Sequence, residues 1–149
     1  MIEKNAIHQT CVQYCTDRID ALRVEMASLR ESAASDTKSS MGDKYETSRE
    51  MAQIEINKLG LQLQQMNHSL LLLKSLNPQL KCTKVEAGAL LHTDKQWFYL
   101  AAPLGKIAEQ GTDIMVVSSQ SPVGKAMLGK VEGDTFSVNG NPFKILEIY

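Results

Sequence analysis

Proline is absent from the first 77 residues, and only Gly42 and Gly60 of the nine glycines fall there. So long a stretch without helix breakers excludes a turn-rich amino-terminal half and predicts long helices. Cysteine is scarce and odd in number, with Cys11, Cys15 and Cys82 the whole complement. That excludes a disulfide scaffold and fits a reducing compartment. The leucine run Leu70 to Leu73, like every other apolar stretch, falls far short of the roughly 18 to 20 residues a spanning helix needs. The start, MIEKNAIHQT, has no apolar signal core, so a cytoplasmic location and no membrane partner are expected. An excess of one charge is missing too: 16 basic and 17 acidic side chains leave a formal net charge of -1. This excludes a basic nucleic-acid coat, and no sequence-specific DNA binding is expected. With 149 residues, 43% of them apolar and 22% charged, the chain has room for one compact domain or two small ones.

What is present in the first half is heptad grammar. Cys15, Ile19, Leu22, Met26, Leu29 and Ala33 recur at alternating steps of four and three, and so do Ala52, Ile56, Leu59, Leu63, Met66, Leu70 and Leu73. Between the seams lies ESAASDTKSSMGD, small and polar, which reads as a turn. Folding the helices back about that turn pairs Met26 with Ala52, Leu22 with Ile56, Ile19 with Leu59 and Cys15 with Leu63. The matched register predicts an antiparallel hairpin over residues 1–76, with its tip near 34–43. Arms of about 30 residues should reach on the order of 45 Å. Their outer faces carry Arg18, Arg23, Glu25, Glu31, Glu50, Glu55 and Lys58. His8 with Cys11 and Cys15 offers no fourth metal ligand and no loop knuckle, so these cysteines read as small buried hydrophobes.

Residues 77–83, with Pro78, read as a linker, and residues 84–149 as a small antiparallel sheet domain. VEAGALLHT and QWFYLA form one expected hairpin, KIAEQ and TDIMVVS a second about Gly111, and TFSV with PFKILEIY a third about Asn139 and Gly140. Ser121 as N-cap, Pro122 at the first helical position and Gly129 as the stop define a short helix. Of Trp97, Phe98 and Tyr99, which alternate faces on one strand, one or two belong to the core.

SPVGKAMLGK, followed by Gly133, Asp134 and a terminal hairpin ending ILEIY, resembles the carboxy-terminal domain of the Gre transcript-cleavage factors, a bacterial RNA polymerase-binding family. Tyr45, Arg49 and Glu50 match the spacing of a tyrosine followed by a basic and an acidic residue in that family's helical hairpin. The resemblance covers nearly the whole chain. It implies an α+β protein: a long amino-terminal antiparallel coiled-coil hairpin, then an FKBP-like antiparallel β domain with one short helix. It also implies an accessory elongation factor rather than an enzyme. In the family, the globular domain docks at the polymerase secondary channel while the hairpin passes down it, and acidic tip residues help hold a magnesium ion shared with the polymerase. Carboxylate oxygens are the hard ligands that ion takes, and a second metal with an oriented water is what phosphodiester hydrolysis needs. No cofactor of the chain's own is implied, and the nascent RNA 3′ end is an indirect partner.

The tip departs from the family pattern. Aligned without gaps on Tyr45, the two metal-directed acids of the family fall on Lys38 and Met41, neither of which carries a carboxylate. The acids at hand are Asp36, Asp43 and Glu46. Asp43 also completes a capping-box spacing with Ser40, and Asp36 also fits a turn former. Lys38, Met41 and Lys44 are the tip's other contact candidates; Ser121, Pro122, Lys125, Met127 and Lys130 are those for polymerase docking. Two mechanisms stay open: stimulation of RNA cleavage, or occupation of the channel without it. A structural coiled-coil interaction module is the reading from another class. Prolyl isomerase activity would follow from fold analogy alone, which does not license it.

Overall fold

A computed structural model describes residues 2–35 and 42–149, with side chains over 2–34 and 46–149. Its elements run α1 (Lys4–Ser35), α2 (Gly42–Lys74), β1 (Leu90–Thr93), β2 (Trp97–Leu100), β3 (Gly105–Glu109), β4 (Thr112–Val117), α3 (Pro122–Met127), β5 (Thr135–Val138) and β6 (Asn141–Ile148). The class is α+β, two long helices followed by a six-stranded sheet and one short helix. The chain divides into two compact units: Cys15–His68, and Met1–Tyr14 with Ser69–Tyr149.

The first unit is helical. Leu22 and Met26 of α1 and Ile56 and Leu59 of α2 form a buried cluster, with Leu29, Leu63 and Met66 packed against it. Ile19 and Cys15 are buried as well. These are the seam positions, so the four-three alternation does place one stripe of each helix inside, as the heptad period requires. Burying a side chain of this size stabilises by roughly 1.5 to 3 kcal/mol. The charged flank is solvated, with Arg18, Arg23, Glu25, Glu31, Glu50 and Lys58 all exposed. Arg18 Nη2 donates to Gln62 Oε1 across the pair at 3.1 Å.

The second unit is built on the sheet, whose strand order is β3-β4-β2-β1-β6-β5. All three expected hairpins form, β1 with β2, β3 with β4 and β5 with β6, each antiparallel. The sheet is nevertheless mixed, because β2 pairs parallel with β4, Trp97 opposite Ile114 and Leu100 opposite Val117. β3 lies at the edge, so β4 returns inside it to reach β2. That corrects the expectation of a purely antiparallel sheet. Turn residues report strand reversals between neighbours in sequence, and no local signal reports which hairpin edges then join. β1 also pairs with β6, which places the second and third hairpins on opposite sides of the first.

Buried side chains lie on both faces of this sheet. Phe98, Leu100, Leu91, Ile145, Phe136 and Met127 share one core cluster beneath α3 and β5. Phe98, Phe136 and Phe143 meet with ring centroids 5.4 to 5.7 Å apart. The starting turns of α1 bear on Tyr99 of β2, whose side chain alternates away from Phe98, and Ile7, Cys11 and Leu73 are fully buried.

Candidate functional site

At the hairpin end, the sequence candidates meet the structure unevenly. Asp36, Lys38 and Met41 lie outside the described residues, as does Ser40 of the expected capping box. Asp43 and Lys44 have helical backbone at the start of α2, and their side chains also lie outside the description. Glu46 is the one candidate acid whose side chain is described, and it is exposed, as are Arg49 and Glu50. Glu46 and Glu50 are four apart on one helix and therefore share a face. No group of three or more potential metal ligands occurs among the described residues.

The docking candidates are better defined. Ser121 caps α3: its Oγ accepts from the Gly124 amide at 3.0 Å and donates to the Ser118 carbonyl at 2.7 Å. Pro122 follows at the first helical position, where no amide hydrogen is needed. Gly124 is required by packing. A methyl group there would sit 2.0 Å from the Ser118 carbonyl oxygen, so α3 lies against the exit of β4 as only glycine permits. Pro122 and Lys125 are exposed and Lys130 half-buried, leaving them accessible to a partner. Met127 is the exception: it is fully buried in the core under α3 and presents nothing to a surface, which corrects its place among the contact candidates. On a six-residue helix one side must face the core, and the sequence did not say which. Leu128 and Val131, 49% and 45% exposed, follow the helix in the chain; sequence reasoning passed over them. Exposed apolar residues next to a stop glycine were the available signal.

A second polar grouping joins the start of α1 to the sheet and was missed as well. His8 Nδ1 and the Tyr99 hydroxyl share a buried hydrogen bond of 2.7 Å. Burial, and then the Lys4 charge, hold the His8 ring below the usual histidine range; burial pushes the Tyr99 phenol far up. Both groups are therefore neutral at pH 7. Thr10 Oγ1 bonds Glu109 Oε2, and Lys4 Nζ donates to the carbonyls of Leu80 and Tyr149 at 2.6 and 3.1 Å. His8 thus serves as a satisfied core histidine. Cys11, Cys15 and Cys82 are buried and in no disulfide, and burial pushes Cys15 and Cys82 up; for Cys11 and Cys15 this is in keeping with their reading as small apolar side chains. Trp97 is half-buried and stacks on His92 with centroids 4.2 Å apart, while Phe98 and Tyr99 are core.

Comparison with known proteins adds little chemistry. No family model matches the chain, and no curated protein matches it. Among solved structures, the chain is similar to that of the transcription factor Gfh1, at 17% identity over 94% of each chain with a TM-score of 0.38. Agreement at that level transfers no residue positions. No helix among the described residues is long and apolar enough to cross a membrane.

Proposed function

We propose that this protein is a bacterial RNA polymerase-binding transcription elongation factor whose paired helices enter the polymerase secondary channel and act on backtracked complexes. The observation that carries this reading is the helix pair itself. Two helices of 32 and 33 residues pack through one narrow apolar seam and keep charged flanks in water. Each is about 48 Å long at 1.5 Å per residue. Such a pair is thin enough to enter a cavity closed to a sheet domain. The match of Tyr45, Arg49 and Glu50, and of the segment from Ser121 to Lys130, to the Gre pattern supplies the partner.

On this reading the chain is an accessory, and the hydrolysis is the polymerase's own. Asp36, Asp43 and Glu46 would supply carboxylate oxygens toward the magnesium ion shared with the polymerase, and Lys38 and Lys44 would meet phosphate at the RNA 3′ end or acidic polymerase residues. Ser121, Pro122, Lys125 and Lys130 would carry the docking surface. A second reading has its own observation. Lys38 and Met41 stand where the family has its metal-directed acids, which favours occupation of the channel without cleavage. The test is addition of the protein to a stalled, backtracked elongation complex with radiolabelled RNA. Faster release of 3′-end fragments, lost when Asp36, Asp43 and Glu46 are all changed to alanine, supports the first mechanism. Binding with no acceleration supports the second. Failure to retain polymerase from a bacterial lysate overturns both and leaves the hairpin as a module for another protein.

A further inference from the structure

Apart from the hairpin and α3, a third cluster of reactive groups lies where the first turn of α1 meets the segment after Pro78. Lys4 Nζ stands 3.9 Å from Cys82 Sγ, and the Glu86 carboxylate adds a negative charge that acts on both groups. Cys82 also lines a solvent-open cavity of about 280 Å³ with Lys81, Thr83, Val131, Glu132 and Ile148. Cys11 and Cys15, by contrast, are wholly inaccessible to solvent. An amine and a thiol in contact, beside an opening wide enough for a small oxidant, differ from an isolated buried cysteine.

We propose that Lys4 and Cys82 form a peroxide-driven covalent clasp, a sulfur–nitrogen bond that ties the start of α1 to the segment following Pro78. In the first step the thiol gives its proton to water and the sulfur attacks hydrogen peroxide. The O–O bond breaks, sulfur keeps one oxygen as sulfenic acid, and the other leaves as hydroxide, which takes the released proton back from solvent to become water. Sulfur is oxidised by two electrons and peroxide reduced by two. In the second step the neutral Lys4 amine attacks the sulfenyl sulfur. The S–O bond breaks as the S–N bond forms, and the hydroxyl departs with an amine proton as water. A sulfenic acid condenses in this way with a nearby nitrogen. Burial lowers the Lys4 amine below the usual lysine range, which raises its neutral fraction. Burial also raises the Cys82 thiol, which makes the first step slow and reserves the clasp for sustained peroxide. A low-molecular-weight thiol reverses it by attack on sulfur, ending as its own disulfide.

The test is peptide mapping of the intact protein after hydrogen peroxide, with and without the sulfenic-acid trap dimedone. The clasp predicts a cross-linked peptide pair containing Lys4 and Cys82, lighter by two hydrogens than the separate peptides, resistant to tryptic cleavage after Lys4 and dissolved by dithiothreitol. In Lys4→Arg the pair disappears and dimedone labelling of Cys82 rises several-fold. A Cys82 labelled equally by dimedone in both proteins overturns the proposal, as does a disulfide to Cys11 or Cys15, or a Cys82 left unmodified. Because the readout is a covalent mass in the parent protein, it stands or falls independently of any role in transcription.

Discussion

Gly124 and Gly60 make the sharpest pair of single-residue tests, because the same substitution has opposite signs at the two. A methyl group at Gly124 collides with the Ser118 carbonyl at 2.0 Å, and the obstacle is backbone, which cannot rotate aside. Gly124→Ala should cost about 1 to 3 kcal/mol, the range for overpacking, read as a lowered melting temperature. At Gly60, inside α2, the new methyl group would meet only the Met26 Cε at 3.9 Å, an ordinary contact. Gly60→Ala should stabilise by roughly 0.5 to 1 kcal/mol through helix propensity. His8 gives a pH test. Its folded-state pKa lies below the unfolded value, so the unfolded chain binds the proton more readily and stability rises with pH through this range. The contribution is fully present above about pH 6.5 and lost as pH falls through the depressed folded value. Thermal melts between pH 7.5 and 5 should show that decline, and His8→Gln, which can still bond Tyr99, should flatten it. An equal slope in the variant would assign the decline to other groups. His8 shows how much is hidden at this scale: the sequence offered an imidazole near two cysteines, while its actual partner, Tyr99, comes from a strand 91 residues away.

At the scale of elements, what was legible was what depends on neighbours. Asn139 and Gly140 both adopt positive φ, 51° and 81°, as the two-residue hairpin turn demands, and that turn could be named from two letters. Ser121, Pro122 and Gly129 marked α3 for the same reason, since caps and breakers act within one turn. The seam positions were legible because their period is fixed by helix geometry. The parallel β2–β4 pair and the burial of Met127 were not, since each depends on which surfaces meet across the sheet. Two element-level expectations follow. Leu22→Ala removes a wholly buried side chain from the four-residue cluster of the hairpin and should cost about 2 to 5 kcal/mol by denaturant titration. Ser121→Ala removes the N-cap bond to Gly124 and should cost about 1 kcal/mol. If α3 is the docking element, the same change should also weaken retention of polymerase while the hairpin cluster stays intact.

For the molecule as a whole, the unit Cys15–His68 holds no proline, and all four prolines fall in the unit that joins residues 1–14 to 69–149. The contents of the candidate site were legible only as residue types. Asp36, Lys38 and Met41 could be named from the sequence, whereas how a polar turn places its acids depends on loop backbone that no hydrophobic period constrains. The proposed role needs the end of the hairpin near Glu46 to lie inside the polymerase. A photo-crosslinking amino acid at Glu46, which is exposed, reads that location directly in a complex with backtracked polymerase. The expected product is a cross-link to polymerase segments lining the secondary channel or to the RNA 3′ end, with a control probe at Lys106 of the sheet unit giving neither. Cross-links from Glu46 to the outer polymerase surface alone, or to a second copy of this chain, would contradict the proposed role.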